Sequence, residues 1–573
     1  MTVSEYIFDF LYKKGINTVF MVSGSSAMWF TDALKRNKNL KAICNQHEQV
    51  CVMSADVYGR LNNIPGVALV TIGPGATNAI TGVAEAWTDS SPLIVLSGNA
   101  SSKLLKYEQD TAIRQHGTQS LDLSNIVSHI TKYFAVIMQP EEIRYHVERA
   151  YFEAMEGRRG PVWLDIPVDI QNKQIPENME IFIPPVTNYE TIDIPTINKL
   201  ISNSKKPLIL AGGGVTKDEI TTLSHVLSMP VVTSRMGIDK VISSDSFFIG
   251  RPGSYGDRAS HFAIQQCDLI LILGCRLSVA TIGYYPDKFG LNAIKLQVDV
   301  DRKELAKTDV PVDYKIHTTI SEFVKAIKDI KIDLSKHKKW VEYCLAMRAK
   351  YPVALEEYKL RKPLNAYWFT KILSELTPEN TIITVDTGSV SNIVSQTWNL
   401  KKGQRYLISG GLACMGFWAG TIGCLNKPAV ALTGDGACAM NIQEFATLKY
   451  YELPIKVFVY QNNGYMLIRH NQHNYMNDRF LGVGPDSGVQ TPNYCKVAEA
   501  FGLPAVRITA NDDIQKKIKE VLATKGPVIC EVILEEFGEL APRIASRVMP
   551  DGSLKACEFD DLFPFLEKEE EEL

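Results

Sequence analysis

The chain has 573 residues, enough for three or four domains at about 150 residues each. Its 61 Lys and Arg against 64 Asp and Glu leave a formal charge of −3, which excludes a strongly basic nucleic-acid footprint. Apolar residues at 45% and charged residues at 22% exclude wholesale disorder.

The eleven cysteines form no C-x-x-C pair, and the nearest two are Cys44 and Cys51. Scattered buried thiols are expected, not a zinc site or a disulfide framework. The segment Met1-Thr2-Val3-Ser4-Glu5 carries an early acid and leads into no apolar signal core, and no apolar run reaches a membrane span. A cytoplasmic protein without membrane or nucleic-acid partners is expected.

Short apolar runs alternate with helix-length segments along the chain. Residues 68–71, 93–96 and 162–166 predict buried parallel strands. A linker rich in Pro, Asn and Ile follows over 176–195. The pattern restarts at 207–211, running into Gly212-Gly213-Gly214, and continues with strands over 268–273 and 296–300. A second linker lies around 362–365, and a third start at 381–386. Strands are then predicted over 429–433 and 455–460, with a helix over 441–451 that carries Ile442, Phe445 and Leu448 on one face. The expected fold is α/β, with three doubly wound parallel-sheet domains over 1–175, 190–335 and 363–545 and a tail over 546–573. The acid run Glu569–Glu572 at the end reads as a solvated terminus.

The third domain holds the clearest chemistry. Gly434-Asp435-Gly436 ends one strand, and Gln461-Asn462-Asn463-Gly464 ends the next. That edge of an open α/β sheet is where ligands bind. Asp435 offers a carboxylate, Asn462 an amide oxygen and Gly464 a backbone carbonyl, which suits a hard cation such as Mg²⁺ shared with a phosphate. Gly434 and Gly436 let a diphosphate approach the backbone, and the helix start adds N–H groups.

These segments resemble the thiamine-diphosphate signature of the acetolactate synthase-like family. Further segments are similar in the same order: Asn45-Gln46-His47-Glu48-Gln49, Thr71-Ile72-Gly73-Pro74-Gly75-Ala76-Thr77-Asn78, Gly160-Pro161-Val162, and Ser409-Gly410-Gly411 with Met415-Gly416. The resemblance implies thiamine diphosphate and Mg²⁺ as cofactors, with Asp435, Asn462 and Gly464 on the metal. It makes Glu48 the catalytic acid–base group at the aminopyrimidine N1′. Met415 is then the wedge that bends the cofactor. Gly75, Asn78, Asp386, Thr387, Gly388, Ser389, Gly411, Gly434, Gly436, Ala437, Gly464 and Tyr465 line the cofactor. It also implies a homodimer or homotetramer with active sites between subunits. In several relatives the central domain holds FAD. Gly212, Gly213, Gly214, Arg235, Met236, Arg276 and Asp299 resemble that site, so FAD is expected here.

The sequence departs from acetolactate synthases around the substrate. Asn471 stands where they carry Trp, Ala280 where they carry Arg, and Thr118 beside Gln119 where they carry Phe beside Gln. A buried keto-acid carboxylate left without a cation costs several kcal/mol, on the order of 3. The expected activity is decarboxylation of a 2-keto acid, pyruvate foremost, with transfer of the two-carbon unit to an acceptor carbonyl. On these three departures a nucleotide-activated keto sugar is favoured as acceptor, and the Gly464-Tyr465 to Arg469 segment with Pro542-Arg543 and Pro564-Phe565-Leu566 resembles a subgroup from surface-sugar pathways. His116, Thr118, Gln119, Leu467, Arg469 and Gln472 are the expected substrate residues, with Arg469 facing an anionic acceptor and His116 placed to shuttle protons. Condensation of two pyruvates to acetolactate is the alternative. A catalytically silent assembly or regulatory subunit is the alternative of another class, which loss of Glu48, Asp435 or Asn462 would have signalled.

Overall fold

A computed structural model describes residues 1–330, 333–548 and 554–566. It contains three parallel six-stranded sheets. The first is built from β1 (Thr18–Met21), β2 (Lys41–Cys44), β3 (Gly66–Val70), β4 (Leu93–Asn99), β5 (Tyr133–Val136) and β6 (Pro161–Pro167), in the order 2-1-3-4-6-5. The second comprises β7 (Pro207–Ala211), β8 (Val231–Thr233), β9 (Phe248–Gly250), β10 (Leu269–Leu273), β11 (Ile294–Asp299) and β12 (Tyr314–His317), ordered 12-11-10-7-8-9. The third comprises β13 (Ile382–Val385), β14 (Arg405–Ile408), β15 (Ala429–Gly434), β16 (Ile455–Gln461), β17 (Ala505–Ile508) and β18 (Val528–Ile533), ordered 14-13-15-16-18-17. The α/β class with three doubly wound domains is as expected from the sequence.

Central strands such as β3, β4, β7 and β10 are buried at every position. Helices cover both faces, so these strands read as unbroken apolar runs. Edge strands β2, β12 and β17 are half exposed, and their mixed composition hid them from the sequence reading. Eight of the eleven cysteines are buried, and all are free.

Three boundaries differ from expectation. The helix Ser335–Lys350 belongs to the central domain, because Trp340 is buried there and its indole N–H donates to the Pro207 carbonyl at 3.0 Å. The helix expected over 441–451 is split. A six-residue helix, Asp435–Met440, begins at the strand end, and a second, Phe445–Tyr451, follows a turn at Ile442–Glu444. The residues after 545 are more than a tail. Leu562–Phe563 pairs antiparallel with Arg543–Ile544, and the Phe559 ring stacks on His261 with centroids 4.2 Å apart. Arg258 of the central domain donates to the Leu562 carbonyl at 3.1 Å. The terminal acid run lies outside the described residues.

The first and third domains share one core. The helix Glu48–Asn62 lies against the 3₁₀ segment Phe417–Cys424, and Val50, Met53, Val57, Phe417, Trp418 and Ile422 join a single apolar cluster. A Cβ on Gly423 would overlap the Ser54 carbonyl oxygen, and one on Gly420 would stand 3.0 Å from the Met53 carbonyl oxygen. Backbone meets backbone here, so there is no flexible side chain to yield. Gly423→Ala is expected to destabilise the protein by about 3 kcal/mol, at the upper end of overpacking costs, read as a lowered denaturant midpoint. An unchanged midpoint would mean that the two segments separate freely.

Candidate active site

The C-terminal ends of β13, β15 and β16 lie side by side in the third sheet, with β14 on the far side of β13. Strand order reverses at β13, which opens the crevice typical of ligand sites in such sheets. Asp435, 1% exposed, follows β15. Its Oδ1 accepts the Gly436 N–H at 2.8 Å, and its Oδ2 accepts the Gly464 N–H at 2.8 Å and the Thr491 hydroxyl at 3.4 Å. Burial outweighs these bonds and pushes its pKa up to about 6. Asn462, at the end of β16, is buried with a side-chain oxygen that has no partner. A buried amide oxygen without a donor is costly. Beside a buried carboxylate, it fits a hard cation. Among the described residues no group of three His, Cys, Asp or Glu side chains is placed for a metal, so the remaining ligands would be backbone, phosphate and water.

Glycines shape this corner. Gly464 has φ +123°, and a Cβ there would overlap the Val483 carbonyl. A Cβ on Gly436 would overlap the Tyr465 ring, so Tyr465 sits directly over the Gly434–Ala437 turn. Thr491 and Tyr494, whose hydroxyl donates to the Asp435 carbonyl, were not singled out in the sequence. Both lie outside any local motif and arrive by tertiary packing.

After β13, Thr387, Gly388 and Ser389 lead into the helix Ser389–Thr397. Gly388 has φ +79°, and a Cβ there would meet open space. Asp386 departs from expectation. It is fully buried, Oδ1 accepts the N–H groups of Thr387 (2.8 Å) and Gly416 (3.1 Å), and Oδ2 accepts the Trp418 N–H (3.3 Å) and the Thr433 hydroxyl (2.9 Å). Its carboxylate is committed to these four donors and braces the Thr387 and Gly416 loops from behind. Gly411 likewise gives its N–H to Asp89 at 2.6 Å, binding this loop to the first domain. Half-buried Met415 precedes Gly416, whose φ is +88°.

In the first domain, Glu48 opens the helix Glu48–Asn62, and its Oε2 accepts the Asn78 side-chain N–H at 3.0 Å. A Cβ on Gly75 would stand 3.2 Å from Glu48 Oε1. Glu48, Gly75 and Asn78 therefore come together in one corner. The Gln119 carbonyl lies against Gly73, where a Cβ would find it 2.5 Å away. Glu108, which the sequence reading missed, orders that loop by accepting from the N–H groups of His116 (2.5 Å) and Gly117 (2.6 Å) and the Ser120 hydroxyl (2.6 Å). Burial raises the Glu108 pKa, but these bonds outweigh it and the net shift is downward. His116 packs its ring on Tyr107, and Thr118 is exposed.

A cleft of about 690 Å³ opens between the domains and is lined by Gly213, Gly214, Arg235, Met236, Arg276 and Asp299. Gly212 stands behind it, where a Cβ would overlap the Gly274 carbonyl. Arg235 donates to Asn392 at 2.7 Å and Arg276 to the Thr88 carbonyl at 2.8 Å, tying the cleft to both other domains. Asp299 ends β11, and burial raises its pKa.

The acceptor-side expectations fare differently. Arg469 is 9% exposed and its guanidinium is taken up by backbone carbonyls: Asn462 (3.2 Å), Asn463 (2.7 Å), Val483 (3.0 Å) and Glu536. It braces the Asp435–Asn462 corner and commits four of its five N–H groups to backbone. Gln472 spends its amide on both backbone groups of Leu481, at 3.0 and 2.9 Å. Leu467 is half-buried against the third-domain core.

Comparison with known proteins agrees with this geometry. Residues 1–126 match the thiamine pyrophosphate enzyme N-terminal TPP binding domain, 194–327 the central domain and 386–532 the C-terminal TPP binding domain. The chain is 30% identical over 596 aligned residues to a probable acetolactate synthase large subunit of Methanocaldococcus jannaschii, covering 98% of each chain. It is 29% identical to acetolactate synthase 2, chloroplastic, of Nicotiana tabacum and to acetolactate synthase, chloroplastic, of Arabidopsis thaliana, covering 95% of this chain and 83% of each of theirs. All three domain models match in order along the chain, and the chain belongs to the thiamine pyrophosphate enzyme family as a distant homologue of acetolactate synthase large subunits.

Proposed function

We propose that the protein decarboxylates a 2-keto acid, pyruvate foremost, and transfers the two-carbon unit to an acceptor carbonyl that carries no carboxylate of its own, a nucleotide-activated keto sugar being the favoured class. Thiamine diphosphate, when bound, supplies the electron sink for decarboxylation. Asp435, Asn462 and the Gly464 carbonyl would hold its Mg²⁺, and the N–H groups around Gly388, Ser389, Gly436 and Ala437 its diphosphate. Glu48 would hold and return a proton at Oε1, since Asn78 occupies Oε2. Met415, Gly75 and Tyr465 would shape the walls. Exposed Leu412 (44%) and Met440 (53%), beside this loop, support coverage by a second copy of the chain.

The acceptor reading is carried by the fate of the nearby cations. Arg469 gives four N–H groups to backbone carbonyls, and Ala280 lies on the central cleft without charge. Neither position favours pairing the carboxylate of a second keto acid. Acetolactate synthesis, the second reading, is favoured by the relatives at 98% coverage.

The central cleft supports FAD as a further cofactor. Its volume lies within the range of small-molecule sites, about 300–1,000 Å³, and it collects six of the seven expected residues.

Three outcomes are expected. With pyruvate alone, acetolactate forms slowly, well under the ~10 s⁻¹ typical of enzymes, and adding a nucleotide-linked keto sugar accelerates CO₂ release. Turnover near that rate from pyruvate alone would overturn the acceptor reading. Glu48→Gln lowers turnover by about 10²–10⁴-fold, the usual worth of a general acid–base group, while cofactor and Mg²⁺ titrations stay close to wild type. Asp299→Ala weakens FAD binding about tenfold by flavin fluorescence, equivalent to ~1.4 kcal/mol, and leaves thiamine diphosphate binding intact. Undiminished flavin affinity would remove Asp299 from that site.

A further inference from the structure

We propose that Glu444 of the third domain is a positioning residue for Glu48 of the first, fixing from behind the segment that delivers the acid–base carboxylate. The inference rests on the reading of Glu48 given above.

Glu444 closes the short turn Ile442–Glu444, nine residues after Asp435 in the chain, and it is fully buried. Its carboxylate reaches a segment 398 residues away in sequence. Oε1 accepts the backbone N–H of Gln46 at 2.9 Å and that of His47 at 3.1 Å, and Oε2 accepts the Asn45 side-chain N–H at 3.3 Å. The Thr447 hydroxyl donates to Oε2 at 2.6 Å and fixes the rotamer from its own helix. Burial pushes the Glu444 pKa up, and the donors Thr447, Gln46, Asn45 and His47 oppose that shift by favouring the charged form.

The three residues held this way are those immediately before Glu48. His47 caps the helix Glu48–Asn62 through its Nδ1, which accepts the Gln49 N–H at 3.2 Å. The donors of Gln46 and His47 precede the first helical turn, so no intrahelical acceptor is available to them. Glu444 supplies it from another domain. One buried carboxylate thus sets where the helix begins, and with it the Cα of Glu48. On the opposite side Asn78 sets the side-chain direction. Ionised carboxylates form the stronger class of hydrogen bond, and a displacement of about 1 Å at a catalytic group can cost about 10²-fold in rate.

The test separates positioning from generic stability. Glu444→Gln keeps the shape, but its amide turns an N–H toward donors. Expected in the holoenzyme are a turnover at least tenfold lower, a KM for the keto acid within about threefold of wild type, and a correspondingly slower exchange of the cofactor C2 proton for deuterium. Hydrogen exchange of the backbone amides of residues 46–48, measured without cofactor, should rise while distant segments stay protected. Asn45→Asp sets a second carboxylate against Glu444 from the other side and should reproduce the same pattern if the Gln variant does not fold. Wild-type C2 exchange in the folded Gln variant, or in the Asp variant if the Gln variant does not fold, would overturn the proposal. So would a loss of rate accompanied by uniform loss of amide protection along the chain. Glu48→Gln, run in parallel, tells the two readings apart. If it too leaves C2 exchange at wild-type rate, the role of Glu48 has failed; if it alone slows exchange, only the role of Glu444 has.

Discussion

Everything functional in this protein hangs on one close approach of backbone to backbone, that of the helix Glu48–Asn62 on the segment Phe417–Cys424. Gly420 and Gly423 permit it. The apolar cluster that results runs through both domains without a seam. At its upper rim the same two segments carry Glu48 at one helix start and Met415 at the loop preceding Phe417. The positions of Glu48 and of Met415 are therefore each set by the core, not by mobile loops, which is how functional groups are held to the tolerance catalysis requires.

Polar groups extend that rigidity in a second tier. Asp386, Glu444 and Arg469 are all buried, and each spends its charge on backbone groups of loops that face the site. Asp386 holds the Thr387 and Gly416 turns together, Arg469 gathers the carbonyls of Asn462, Asn463, Val483 and Glu536, and Glu444 crosses between domains. Such groups are costly to bury unless fully paired, and full pairing is what makes them rigid.

Much of this was legible in sequence, for identifiable reasons. Strands buried on both faces, such as β4 and β10, must be continuous apolar runs, and they read as such. The corner at Asp435 and Asn462 is local, two consecutive strand ends in one βαβ unit, so a short motif encodes it. Glu48, Gly75 and Asn78 lie on two successive helices flanking β3 and were equally accessible. What the sequence hid is long-range. Nothing near Glu444 or Glu108 marks them as partners of the Glu48 and Gln119 loops. The docking of Phe559 on His261 joins residues 298 positions apart, and the stretch after 545 packs on the central domain while pairing with Arg543–Ile544.

Arg469 and Asn462 show how differently two buried polar residues beside one corner are satisfied. Residue type and motif position suggested ligand contact for both. Arg469 gives four of its N–H groups to backbone carbonyls of the surrounding loops. Asn462 keeps a buried oxygen with no donor at all, beside a carboxylate whose pKa burial has pushed up to about 6. A folded core rarely tolerates that pair without compensation, and a divalent cation compensates both at once: it gives the amide oxygen a partner and stabilises the charged form of the carboxylate. The unmet valence of the Asn462 oxygen, more than the residue type, marks the corner as one suited to a cation.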